Sequence, residues 1–484
     1  MQILIYMKFY LFIFITILTG QAVFSTTKNF DITIQVKGIK NDFALLAYHY
    51  ETSRFVQDTI QFNDKGIASI KGNKNYPDGV YIIAFPTLDF KFFDLIINKE
   101  TKFSLTTDTI DLPMNMKVSN SIENEALYNN LKYSIPLGFK IDSLKKLLKD
   151  LPDSSKTYKN IIEKIETQTK LTNEHRASVI EKYPNTFYAS LLKMMQAPEP
   201  IIPKSYYTKN KEWKDTVTTV SYIKEHYFDI IDWSDSAYVR SPIFKQFINQ
   251  YFDLYIFPLP DSIIPPLDNL IAKAAQGSPL MYKYVFNIVY DKYSKSQIMG
   301  YDRIFVHLVD KYLGNGKTPW IEGDQLKKIK DYAEDIRPVL IGNPAADFTF
   351  KDSNYVDIKF HALLDKAEYT ILVFWNSDCG HCQHDIPLIN AKYDSLKTLG
   401  AQVVSISTEQ TDSTFRAFAA KNCNLNWITG WDPNGTSAFR REYFINATPK
   451  VFIIDRKEQK IRAKNLPIAD LYGYLEFLKN KEKE

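Results

Sequence analysis

Tyr369-Thr370-Ile371-Leu372-Val373-Phe374-Trp375 is followed, after Asn376-Ser377-Asp378, by Cys379-Gly380-His381-Cys382. An unbroken apolar run of this length, rich in β-branched and aromatic residues, predicts a strand buried on both faces. The residues after it, Gln383 to Lys397, carry the spacing of a helix. A Cys-x-x-Cys pair at such a strand-to-helix junction can close and open a disulfide, because a helix N-terminus stabilises the first thiolate. The chain has three cysteines, and the third, Cys423, lies well outside the pair. So few cysteines do not staple a chain of 484 residues, which makes the pair chemical rather than structural.

Around this stretch, strand and helix alternate to the C-terminus. Strands are expected at Tyr369–Trp375, Ala401–Ser407, Asn426–Thr429, Lys450–Ile454 and Lys460–Ala463. Helices are expected at Gln383–Lys397, Ser413–Lys421, Thr436–Tyr443 and Ile468–Lys481. The alternation predicts one α/β domain over residues 338–484, entered through Gly342-Asn343-Pro344-Ala345-Ala346-Asp347. Upstream, residues 111–337 read as helical, with apolar positions three and four apart, as in Tyr158, Ile161, Ile162 and Ile165. Residues 26–110 read as a β-sandwich of short strands such as Phe30–Val36, Phe43–Tyr48, Gly79–Phe85 and Phe103–Thr106. The fold class is therefore multidomain: a β-sandwich, a mainly helical middle and a C-terminal α/β domain.

The N-terminus points to a compartment. Lys8 precedes the apolar stretch Phe9–Leu18, and the small residues Thr19, Gly20 and Ala22 follow. That order reads as a secretory signal over residues 1–25, cleaved after Ala22 or Ser25, with an uncleaved membrane anchor as the alternative. Export to the cell envelope, periplasmic in location, would set the thiols in an oxidising space. The net charge is +4 with Lys and Arg interspersed among Asp and Glu, so nothing calls for a nucleic-acid partner. Hydrophobic residues make up 45% of the chain, ample for packed cores.

Several rival chemistries fall away on spacing. Gly316-Lys317-Thr318 lacks the earlier glycine of a phosphate-binding loop, where Lys311 stands. A c-type haem needs histidine directly after the second cysteine, and position 383 is glutamine. Cys379, His381, Cys382 and His384 are too close together on one segment for a tetrahedral metal site. We expect no metal and no cofactor beyond the Cys379–Cys382 pair itself.

Trp375, the pair, Pro387 within the helix and Thr448-Pro449 before Val451–Asp455 together resemble the active-site segment and cis-proline loop of a thioredoxin-fold protein. With the lead-in Gly342–Phe348, the last third resembles exported thiol-disulfide oxidoreductases of the TlpA/ResA type. The resemblance implies an enzyme acting on disulfides in partner proteins, reset by an upstream redox partner. It implies Cys379 as nucleophile and Cys382 as resolving thiol. His381 would tune the pair, and Asp385, one turn after Cys382, would relay protons. Thr448 and Pro449 would face the substrate, and Trp375 would shield the site. Val373 stands where thioredoxins carry a buried aspartate, which moves the expected proton chemistry to Asp385. Leu372 and Asn376 stand in place of the Pro and Thr that precede a peroxiredoxin's cysteine, which argues against peroxidase activity. The Gly-His dipeptide also occurs in disulfide isomerases, so the direction of exchange stays open between reductase, oxidase and isomerase. An envelope binding protein using the domain as an interaction platform is the reading from another class.

Overall fold

A computed structural model describes residues 28–481, apart from Thr52, Asp150, 197–215 and Leu425. The signal or anchor expected at residues 1–25 lies outside the described residues. None of the helices among the described residues is long and apolar enough to cross a membrane. By their contacts, residues up to Pro258 cluster with Asp268–Phe286, and Leu259–Leu267 cluster with Asn287–Glu484.

The first unit opens with eight strands: β1 (Lys28–Lys37), β2 (Phe43–Tyr50), β3 (Ser53–Gln61), β4 (Ile67–Lys74), β5 (Gly79–Phe85), β6 (Lys91–Ile97), β7 (Lys102–Asp108) and β8 (Lys117–Ser119). They form two four-stranded sheets, ordered β4-β1-β7-β8 and β3-β2-β5-β6. Along β1 the buried residues Phe30, Ile32, Ile34 and Val36 alternate with more exposed ones, as a half-buried strand requires. The strands named from sequence all occur. β3 was not legible, because eight of its nine residues are exposed or half-buried and show no clean alternation.

Two helices of 27 residues, Ile122–Leu148 and Lys156–Lys182, follow and pack on each other. Ser121 and Ser155 cap them, each accepting a backbone N–H from the first turn. Shorter helices complete this mainly helical stretch.

The second unit is built on a seven-stranded sheet. Its strands are β9 (Thr349–Asp352), β10 (Asp357–Lys359), β11 (Tyr369–Trp375), β12 (Ala401–Ser407), β13 (Ile428–Trp431), β14 (Lys450–Asp455) and β15 (Ile461–Lys464). The order is β10-β9-β13-β12-β11-β14-β15. β11, β12 and β13 run parallel, and β14 is antiparallel to β11. All seven residues of β11 are buried, as the apolar run predicts.

Alternation splits the core between the two faces of the sheet. Ile371, Val373 and Trp375 pack with helix Gly380–Thr398 and helix Leu471–Lys481 on one face. Leu372 and Phe374 pack with Phe348, Phe439, Tyr443 and Phe452 on the other. Helices Asp302–Leu308 and Gly323–Ile336, upstream of residue 338, belong to this unit as well. Lys464 of β15 is ion-paired with Asp302, and Phe444 meets Tyr332 ring to ring.

Candidate active site

β11 ends at Trp375, and the turn Asn376–Asp378 delivers Cys379 to the helix start. Asn376 shapes the turn: its side-chain oxygen accepts the Asp378 N–H at 2.9 Å and its carbonyl accepts the Cys379 N–H at 3.3 Å. Cys379 is the N-cap of helix Gly380–Thr398, and its Sγ accepts the Cys382 backbone N–H at 3.2 Å. That N–H is one of the four a helix leaves unpaired at its start. The Thr448–Pro449 peptide is cis, and the Thr448 carbonyl accepts the Cys379 thiol at 3.0 Å. Cys379, Cys382, Thr448 and Pro449 are thus brought together. All three cysteines carry free thiols.

The two thiols of the pair differ sharply. Cys379 is half-buried, and partial burial opposes its ionisation. The Cys382 thiol, Thr448 and the backbone N–H groups of Cys382 and His381 outweigh that and hold it below the usual thiol range. Cys382 is fully buried among Val373, Trp375, Ile386 and Val451. Burial first, then the neighbouring Cys379, push its thiol well up. One thiol is poised to attack and the other is held in reserve.

The remaining expected residues take varied positions. His381 is exposed on the first turn of the helix. Asp385 is half-buried, and its Oδ1 is bonded to His384 Nδ1 at 2.9 Å. Trp375 is 0% exposed, donates to Ser405 Oγ at 2.7 Å and stacks on Phe418 with centroids 4.6 Å apart. It backs Cys382 from inside the core and does not cover the pair from solvent.

Two further residues hold the turn and a third lies beside the Thr448–Pro449 loop; all three escaped the sequence reading. Glu409 is 9% exposed at the end of β12, and its Oε1 accepts both the Ser377 N–H (2.6 Å) and the Ser377 hydroxyl. Gln383 Nε2 donates to the Ser377 carbonyl at 2.9 Å. Lys450, directly after Pro449, bonds the Phe444 carbonyl. Ser377 and Gln383 flank the motif closely enough to be suspected. Glu409 sits 30 residues beyond Cys379, and only the pairing of β11 with β12 brings it near.

Cys423 lies apart, 3.7 Å from Ser405 Oγ, its thiol raised by burial. Gly316-Lys317-Thr318 follows the helical turn Val309–Leu313 rather than a strand, unlike a phosphate-binding loop. Among the described residues, no group of three or more His, Cys, Asp or Glu side chains is arranged to hold a metal ion.

Family models and sequence relatives match parts of the chain. Residues 341–464 match the AhpC/TSA family, and residues 160–338 match a domain family of unknown function, DUF5106. A thioredoxin-like protein of Haemophilus influenzae is 28% identical over 149 residues, covering 31% of this chain and 83% of that protein. The thiol-disulfide oxidoreductase ResA of Bacillus cereus is 27% identical over 139 residues, covering 28% of this chain and 77% of that protein. Among solved structures, a thioredoxin-like protein of Bacteroides caccae is 18% identical, covering 57% of this chain and 97% of that one, with a TM-score of 0.44. The thioredoxin domain of a thiol-disulfide oxidoreductase of Bacteroides vulgatus is 22% identical, covering 28% of this chain and 96% of that one, with a TM-score of 0.26. The C-terminal α/β domain is a thioredoxin-like domain, and its relatives include thiol-disulfide oxidoreductases.

Proposed function

We propose that this chain is an exported thiol-disulfide oxidoreductase that exchanges disulfides in partner proteins through Cys379 and Cys382. The observation that carries the reading is the asymmetry of the pair. A half-exposed thiol at a helix N-terminus is held toward the thiolate, three residues from a fully buried one. The Cys379 thiolate attacks one sulfur of a client disulfide, forming a mixed disulfide and releasing the client's other sulfur as a thiolate that takes up a proton. Cys382 then loses its proton and attacks Cys379 Sγ. The Cys379–Cys382 disulfide forms and the second client thiol leaves. Two electrons have passed to the client, and a dithiol redox partner returns them to the pair.

His381 and Asp385 are the tuning groups, with Asp385 passing the Cys382 proton through its contact with His384. The Thr448–Pro449 loop lies beside Cys379, where an extended client segment would add by strand pairing. Lys8 and the apolar stretch after it support export to the envelope. We read the sequence boundaries as 26–110, 111–337 and 338–484, with Leu259–Leu267 and the helices from Asn287 onward packing with the last of these. We read the first as a sandwich, a reading supported by Tyr76, which meets both Phe30 of β1 and Tyr81 of β5, one from each sheet.

Insulin-disulfide reduction by the full chain with dithiothreitol tests the reading. Cys379→Ser is expected to abolish it, and Cys382→Ser, reduced, freed of dithiothreitol and then mixed with insulin, to accumulate a mixed disulfide. Full activity in Cys379→Ser would overturn the proposal and leave the binding-platform alternative.

A further inference from the structure

The loop that presents Thr448 is gripped from the face of the sheet turned away from the thiols. Val451 and Ile453 of β14 pack in the core that holds Cys382, whereas Phe452 and Ile454 pack in the opposite core. Lys450 shares the parity of Phe452 and Ile454, so its side chain leaves the strand on that rear face. It can reach Cys379 only through the backbone of Pro449 and Thr448.

On the rear face its ammonium donates to the Phe444 carbonyl and lies 4.5 Å from the centre of the Phe444 ring. A cation over a ring face is attracted by the ring quadrupole, the more so when partly desolvated. Phe444 has φ 46°, a left-handed backbone that a phenylalanine keeps only when its surroundings impose it. One such surrounding is Tyr332 of helix Gly323–Ile336, whose ring stands edge-on to Phe444 at 5.7 Å. The Ile445 N–H is also tied, to the Arg440 carbonyl at 2.8 Å.

We propose that Tyr332, Phe444 and Lys450 form a rear clamp that positions Thr448 against Cys379, making helix Gly323–Ile336 a working part of the redox site. The inference rests on the redox reading above. Lys450 is a positioning residue: it touches neither thiol, and its effect passes through the loop. Burial, then the charge of Lys464, hold its amine down to about 8, so its charged head is retained against a penalty and depends on the Phe444 contacts.

The test titrates the Cys379 thiolate by its ultraviolet absorbance in the full chain, alongside insulin reduction. Lys450→Met is expected to raise the titration midpoint by about half a pH unit, the scale of weakening one hydrogen bond, because the Thr448 side chain is among the groups that hold the Cys379 thiol down. Insulin reduction below the midpoint should slow by less than about threefold, because the loss of thiolate is partly offset by the greater nucleophilicity of the higher-pKa sulfur. Lys450→Arg keeps the cation and should restore both. Tyr332 is 46% exposed, so Tyr332→Leu should fold and move the midpoint in the same direction. A wild-type midpoint in both Lys450→Met and Tyr332→Leu overturns the clamp, whatever their thermal stability. Failure of the wild-type chain to reduce insulin would instead sink the redox reading, while the titration still judges the clamp.

Discussion

The two faces of the seven-stranded sheet share β11, yet they are built to different ends. On the thiol face, Val373, Trp375 and Val451 meet a 19-residue helix whose first turn offers unpaired N–H groups to a sulfur. On the rear face, Leu372, Phe374 and Phe452 meet two one-turn helices, His361–Leu364 and Phe439–Glu442, and a cluster of rings. Phe374 stacks on Phe439 at 5.1 Å and touches Tyr443 and Phe452 as well. The front carries groups that react, and the rear carries the packing that holds them still. A reactive thiol needs that division, because its ionisation depends on hydrogen bonds that a shift of half an ångström would weaken.

The sharpest way to break this contrast is to delete function on one face and stability on the other. Cys379→Ser should take insulin reduction to background while changing stability by less than about 0.5 kcal/mol, since the side chain is half-exposed and nearly isosteric. Phe374→Ala should cost about 3–5 kcal/mol, the usual range for emptying a packed aromatic site. Urea denaturation followed by tryptophan fluorescence measures both. A Cys379→Ser chain as unstable as Phe374→Ala would erase the distinction.

Next in size is the anchor beneath the redox turn. Glu409→Ala removes the acceptor for the half-buried Ser377 N–H, which water can partly replace, so the cost should be about 1 kcal/mol, the low end for an unsatisfied donor. Glu409→Gln keeps an acceptor and should lose less. Equal losses in the two variants would mean that the carboxylate charge, rather than the hydrogen bond, holds the turn.

The thiols themselves give a pH signature. Cys379 is held below the ordinary range, so its alkylation rate should rise through a midpoint below about 8.5 and then level off. Cys382 is displaced upward and buried, so it should resist alkylation across that range until the domain unfolds. Peptide mapping after timed alkylation separates the two. Equal reactivity would contradict the assignment of nucleophile and resolving thiol.

The same contrast explains what the sequence could reveal. The boundaries of β11 were legible because burial on both faces produces an apolar run that no helix period matches, and those of β12 from its short β-branched stretch Val403-Val404-Ser405-Ile406. Cys379, Cys382 and Thr448-Pro449 were legible because their chemistry demands particular residue types in a fixed local order. The rear face is assembled from distant segments and leaves no such trace. The helix expected at Thr436–Tyr443 is only Phe439–Glu442, because the Asp432 carboxylate takes the Thr436 and Ser437 N–H groups and turns the chain first. β13 falls at Ile428–Trp431, two residues later than the expected Asn426–Thr429, in register with β12 through Val404 to Ile428. Glu409, Lys450 and Tyr332 are ordinary polar residues in sequence, and only tertiary contacts give them a role.

The last prediction concerns Lys450 and stability against pH. Burial and the charge of Lys464 hold its amine down to about 8 in the folded chain, against about 10.4 for an ordinary lysine. Between those values the unfolded chain binds a proton that the folded chain has released. Stability therefore rises with pH across that window on account of this group. Below pH 8 both states hold the proton, and the burden of a charged, partly buried ammonium is fully present. Lys464 shares the rear face, but its own charge is matched by Asp302. Buried tyrosines such as Tyr443 have raised values and oppose the trend as unfolded tyrosines ionise around pH 10, equally in the wild type and in Lys450→Met. Lys450→Met should abolish the rise, so the difference in melting temperature between it and the wild type should change steadily from pH 8 to pH 10. A difference that stays flat over that interval would show that Lys450 is no more confined than a surface lysine, and the rear clamp would lose its central contact.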